Sequence, residues 1–208
     1  MHGERRCYSG FTGARSIGVT PMPRNTPEEA FAAAQAAMER QDWGAFFACL
    51  DPGDVRRVAK NGLNRLGRDR ELEALCRQAG VEQPLLDAVK GLAMRMARAA
   101  QATLGGGADE SLALKGLVEA HRKALDGLTK AVTDIAALAA AIERHLRATV
   151  GGGSVSSSYF VGDTLEGVRV DGNVAWGTRR TARGASESVG FVQREGEWQV
   201  RLFARPRS

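Results

Sequence analysis

Val170-Asp171-Gly172-Asn173-Val174-Ala175-Trp176 and Arg194-Glu195-Gly196-Glu197-Trp198-Gln199-Val200 each place an acid-glycine pair between two short alternating apolar runs. Such pairs favour the positive φ angles of tight hairpins, so both stretches predict antiparallel strands joined by short turns. Working outward, the same alternation predicts strands at about 155–161, 165–170, 173–181, 186–193 and 197–204. In the last of these Trp198, Val200 and Leu202 face one way and Glu197, Gln199 and Arg201 the other, so one face of the sheet is buried and the other is wet or meets a partner. Ahead of Gly151-Gly152-Gly153-Ser154 the apolar spacing changes to three and four, the period of helices. The fold class is therefore α+β: N-terminal helices and a long helical insertion, then a curved antiparallel meander of four to five strands.

The helical part begins at Thr26-Pro27-Glu28-Glu29, where Thr is a cap, Pro suits the first helical position and Glu completes a capping box. Ala30, Phe31, Ala34, Ala37 and Met38 then form a stripe suited to packing on a sheet. Asp42 caps a short helix from Trp43, which ends at Asp51-Pro52. Further amphipathic helices open at Asp54, Asp69 and Pro84, and Gly105-Gly106-Gly107 ends the last of these. From Asp109 to about Val150 the pattern is nearly heptad: Val118, Leu125, Val132, Ala139 and Leu146 alternate with His121, Leu128, Ile135 and Ile142. One unbroken helix there would run ~60 Å and need a long partner, either residues 84–104 or a second subunit. Asp126-Gly127 is the alternative point of division.

At 208 residues the chain suits one domain with a large insertion. The organisation expected is a disordered tail over 1–25 and a single domain over 26–208, with 54–150 as helical insertion and 155–204 as sheet. Met22, just before the first helix signal, is a candidate start. No apolar run approaches the ~20 residues that span a bilayer, and residues 1–25 hold no apolar segment of a secretory signal, so the expected location is cytoplasmic and no membrane is involved. The net charge of +5 is unevenly spread: four arginines against one glutamate in 1–25, 17 basic against 17 acidic residues in 26–150, and eight arginines against six acids in 151–208. No dense basic face is evident, which argues against nucleic acid as a partner. Arg179-Arg180 and Arg183 read as a small basic turn, solvated or facing an acidic partner.

Cys7, Cys49 and Cys76 are far apart and odd in number, the usage of reduced thiols, and no Cys/His spacing suggests a metal. No nucleophile motif is present, and the glycine triplet at 105–107 lacks the strand and the Lys-Ser or Lys-Thr of a phosphate loop. No cofactor is called for.

Two segments resemble a known group of proteins. Thr26 to Pro52 (Thr-Pro-Glu-Glu-Ala-Phe, Gln-Asp-Trp-Gly-Ala-Phe, Leu-Asp-Pro) and Val170 to Phe203, with its Gly-x-Trp strand, are similar to the first helices and last strands of the nuclear-transport-factor-2-like superfamily, which includes ketosteroid-isomerase-like and polyketide-cyclase-like proteins. The resemblance implies a curved sheet wrapped about the first helix, forming a cone with a hydrophobic mouth. It spans about 60 residues, and 54–150 departs from it. Phe31, Trp43, Phe46, Phe47, Trp176, Phe191 and Trp198 would then line the core or a ligand pocket. Enzymes of that group place an Asp, His or Tyr inside the cone, which makes Tyr159, Asp163, His121 and His145 the catalytic candidates, each with an ordinary packing or turn role as its alternative. The expected function is a non-enzymatic ligand-binding or protein-interaction scaffold, with a homodimer and a small apolar ligand as partners. The alternatives are a small lyase or isomerase acting on an apolar carbonyl compound, and a helical self-association module.

Overall fold

The computed structural model describes residues 24–103, 108–156 and 159–203, excepting the side chains of 103 and 108–111. Among them seven helices precede four strands: α1 (Pro27–Glu39), α2 (Trp43–Ala48), α3 (Pro52–Leu63), α4 (Arg70–Gln78), α5 (Gln83–Thr103), α6 (Ala108–Ala131), α7 (Ile135–Val150), then β1 (Thr164–Asp171), β2 (Val174–Arg180), β3 (Ser186–Arg194) and β4 (Glu197–Arg201). The strands form one antiparallel meander in the order β1-β2-β3-β4. The chain is an α+β protein.

Caps written in the sequence set the helix starts. Thr26 Oγ1 accepts the Glu29 N–H at 3.1 Å, and the Glu29 carboxylate accepts the Thr26 N–H at 3.3 Å. Asp42 and Asp69 cap α2 and α4 by accepting backbone N–H groups of their first turns. The third helix opens at Pro52 and not at Asp54: α2 has already ended at Ala48, and the N–H that proline lacks costs nothing at the first position of α3. Asp54 serves elsewhere, its carboxylate accepting the Leu202 and Phe203 N–H groups at 2.7 and 3.4 Å and so pinning the chain after β4 to α3. Burial pushes this carboxyl above its ordinary value.

The heptad stretch is two helices. The break falls at Val132-Thr133-Asp134, where Asp134 caps α7 by accepting the Ala137 N–H at 2.9 Å. Asp126-Gly127 stays inside α6, with Asp126 paired to Lys60 of α3. A single long rod would carry its second half away from the core; the break lets α7 return against α2, α3 and α4 while α6 packs on α5 and α3. Leu125, Leu128, Val132, Ile135, Ala139, Ile142 and Leu146 are thereby buried within one chain, and Val118 is left exposed. Past Val89 on α5 and ahead of His121 on α6 no described residue is fully buried, so this end of the hairpin stands out from the body.

Alternation holds in the sheet. Ala175, Gly177 and Arg179 of β2, Val189 and Phe191 of β3, and Trp198 and Val200 of β4 are buried on one face, against which α1 packs through β4 and β1. Leu165 and Val168 close over Gly177, where a Cβ would lie 2.9 Å from the Leu165 side chain. A bulge between Glu166 and Arg169, with Gly167 at φ +61°, bends β1. The outer edge of β4 is covered: Trp198 N–H donates to Arg24 O, Val200 N–H to Cys49 O, and Asp51 N–H to Val200 O. Arg24 also pairs with Glu197. Arg24 and Asn25 therefore belong to the folded body and not to a disordered tail, and the remainder of that expected tail lies outside the described residues.

The strand expected at 155–161 does not form among the described residues of that stretch. Phe160 at φ +66° and Gly162 at φ +69° turn the chain, with Tyr159 N–H donating to Ser156 O and Asp163 N–H to Phe160 O. Just before it, α7 ends at Gly151 (φ +70°), and the buried Glu143 accepts the Ser154 N–H at 2.7 Å while pairing with Arg147. Arg147 in turn stacks 4.2 Å over Trp43 and donates to Val155 O.

A Cβ on residue 153 would overlap the Glu143 carboxylate, which Arg147 and Ser154 hold in place. Gly153→Ala is expected to lower the unfolding free energy by about 2 kcal/mol or more in urea denaturation. Cys49 and Cys76 are buried, and burial pushes the Cys76 thiol up to about 12. Iodoacetamide at neutral pH is expected to label both, by peptide mass spectrometry, only after unfolding.

Candidate functional site

The alternation that buries Ala175 and Gly177 carries Arg179 to the same inner face, where it is 6% exposed. Its guanidinium lies 4.2 Å over the Tyr159 ring and 5.3 Å from the Phe160 ring. Nη2 donates to Glu187 at 2.8 Å on β3, and Nε lies 3.4 Å from Asp163 Oδ2, off the line of a good hydrogen bond. Nη1 is buried without an acceptor. Asp163 Oδ1 accepts the Ala182 N–H at 2.9 Å, which fixes the β2–β3 turn. From α1, Gln35 Nε2 donates to the carbonyls of Phe160 and Asp163 at 3.0 and 3.1 Å. Burial pushes the Tyr159 phenol above its ordinary value, against the pull of the Arg179 charge.

Chemically this cluster is one cation between two carboxylates, roofed by two rings. Both carboxylates are engaged, so it has no surplus positive charge for an anion and no free base aimed at an open space. It clasps the 159–163 turn to the sheet. The expectation of a solvated Arg179-Arg180 turn is corrected for Arg179, whose side chain points inward, and holds for Arg180, which is exposed and pairs with Glu166 at 3.0 Å.

Tyr159 and Asp163 thus come together, whereas the two histidines lie elsewhere. His145 Nε2 is 2.7 Å from Asp69 Oδ2 at the start of α4. Although desolvation opposes it, the bond from His145 and those from Leu72 and Glu71 hold the Asp69 carboxyl below its ordinary value. His121 is 7% exposed on α6, with Nε2 buried and unpartnered, and burial lowers its basicity. Neither faces the Arg179 cluster closely enough to share a hydrogen bond with it.

Phe31, Trp43, Phe46, Phe47, Phe191 and Trp198 are each at most 5% exposed and belong to the core. Phe160, unforeseen from the sequence, joins them: its ring meets Phe31 at 5.0 Å edge-on and Phe46 at 6.3 Å. Trp176 is the exception, since it lies in the other phase of β2, with Val174 and Thr178, on the outward face. A recess of about 380 Å³ opens elsewhere, between α4 and α7, lined by Leu75, Ala79, Ala137, Leu138 and Ala141 with Gln78, Thr133 and Asp134 at its polar side. Among the described residues no group of three His, Cys, Asp or Glu is placed to hold a metal ion, and no helix is long and apolar enough to cross a membrane.

No family model, curated protein or solved structure matches this chain.

A histidine depressed by burial contributes stability that is complete above its unfolded value of about 6.5 and is lost as pH falls through the lower folded value. For His121, replacement by Leu is expected to flatten the decline in unfolding free energy between neutral pH and pH ~5.5, measured by urea titration. Asp69 works in a lower window: its contribution is present above about 3.9 and lost as pH falls through its depressed folded value. Asp69→Asn, which keeps a cap, is expected to weaken that acid-limb loss, whereas Asp69→Ala also removes the cap and costs about 1 kcal/mol at neutral pH.

Proposed function

We propose that this chain is a non-enzymatic binding and scaffold protein on the plan of the nuclear-transport-factor-2-like superfamily, with a helical insertion that supplies its contact surfaces. The observation that carries the reading is the filled space between α1 and the sheet. Phe31, Phe46, Phe160, Phe191 and Val200 occupy it, each at most 4% exposed. The plan itself is supported by α1 lying against both edge strands, β1 and β4. An acid–base enzyme of that plan needs an ionisable group at the floor of an open cavity. Here hydrocarbon fills the floor, and the nearest carboxylate, Asp163, is spent on Ala182 and Arg179.

Two surfaces support a binding role. The α4–α7 recess suits a small apolar ligand, and the α5–α6 hairpin exposes Met94, Leu112 and Val118, which supports a homodimer formed through the insertion. Buried free thiols at Cys49 and Cys76 accord with a cytoplasmic setting.

One observation favours the second reading, a small lyase or isomerase: Arg179 Nη1 is buried without an acceptor beside Tyr159. Turnover of a carbonyl substrate that is abolished by Tyr159→Phe or Asp163→Asn would replace the scaffold reading with this one.

Sedimentation equilibrium of the whole chain tests self-association. A dimer is expected, converted to monomer by the combined Met94→Ser, Leu112→Ser and Val118→Ser change with stability altered by only about 0.5 kcal/mol per site. A monomer at every concentration removes the homodimer from the proposal.

A further inference from the structure

The pairing register places a row of four residues across the outward face of the sheet: Arg169 of β1 opposite Trp176 of β2, Trp176 opposite Gly190 of β3, and Gly190 opposite Arg201 of β4. Strand spacing sets the two arginine Cα atoms roughly 14 Å apart, with the indole between them. Gly190 contributes no side chain and is itself buried, while Trp176 and Arg201 are half-buried and Arg169 is exposed. The next row towards the β2–β3 turn holds Thr178 and Ser188, small and exposed. Arg169 and Arg201 take part in no ion pair among the described residues, although the Arg201 charge is near enough to the Asp54 carboxyl to pull against its upward shift, whereas Glu166 on the same face is consumed by Arg180 and Glu197 by Arg24. Asp171, opposite Val174, is an exposed acid on this same face, two residues along β1 from Arg169.

We infer that this face is a platform for single-stranded nucleic acid, with a base stacked on Trp176 and backbone phosphates held by Arg169 and Arg201. Sequence-tolerant single-strand binding needs a flat aromatic ring and flanking positive charge, and this row supplies both. The arginines carry charge complementary to phosphate. An acidic peptide would use those charges but leave the indole without a role. Segment totals conceal the feature, because the three side chains come from three strands and converge only through the register. The inference concerns a different surface from the α5–α6 hairpin and the α4–α7 recess, and it stands or falls apart from the scaffold reading.

Fluorescence anisotropy of labelled oligothymidylate and oligouridylate dodecamers with the whole chain, at low and at physiological salt, is the test. Binding that weakens with salt is expected, and Trp176→Ala should weaken it about tenfold or more. Trp176→Phe, which keeps a ring, should retain most of the affinity and guards against a folding defect in the alanine variant. Arg169→Gln and Arg201→Gln should each lower the salt slope by roughly 0.7, while Arg70→Gln on α4 leaves it unchanged. Any of four results would overturn the inference: no binding at low salt, binding indifferent to Trp176→Ala, displacement by a mononucleotide mole for mole, or equal competition by polyglutamate.

Discussion

The Phe160 ring joins the two halves of this protein. It is fully buried, meets Phe31 of α1 and Phe46 beside α2's other aromatics, and lies under the Arg179 guanidinium of the sheet. To reach that position the backbone adopts a left-handed φ of +66°, which a residue with a Cβ takes only where its surroundings compensate. Gln35 supplies part of that compensation by donating to the Phe160 and Asp163 carbonyls. Aromatic edge contacts of this kind add about 0.5–1.5 kcal/mol each beyond the area they bury. Phe160 thus ties the 159–163 turn into the core that α1, α2 and the sheet already share through Phe191 and Val200.

Where local chemistry decides structure, the sequence was readable. The Thr26 box, the Asp42 and Asp69 caps and the alternation of β2 to β4 act within a few residues, and each element stands where those signals put it. The turn at Thr133-Asp134 was obscured because it has neither proline nor glycine, and the apolar repeat runs through it without a missed beat. Asp134 supplies a local cap, and the packing of α7 against α2, α3 and α4 selects the break there. The stretch 155–161 has strand-like residues, yet Phe160 gains more by entering the core than by extending a sheet edge.

The candidate site was legible by half. Tyr159 and Asp163 were visible as residue types, but their partner Arg179 looked like part of a charged turn. Counting phase from Ala175 through Gly177 would have turned it inward. The same count turns Trp176 outward. Glu187, Gln35 and the histidines' separate surroundings depend on contacts between distant parts of the chain, for which spacing has no signal. The interior is committed to packing, and the surfaces proposed for recognition are the protruding hairpin, the α4–α7 recess and the outward face of the sheet.

The sheet also ends differently on its two sides. β4 is sealed by backbone groups of Arg24, Cys49 and Asp51, while β1 carries the bulge at Gly167. A foreign strand arriving at β4 meets donors and acceptors already occupied, and one arriving at β1 meets a ladder out of step with its own repeat. Both routes to runaway ribbon stacking are thus obstructed, one by occupancy and one by misfit, so the protein can leave a four-stranded sheet partly bare without becoming a template for fibrils.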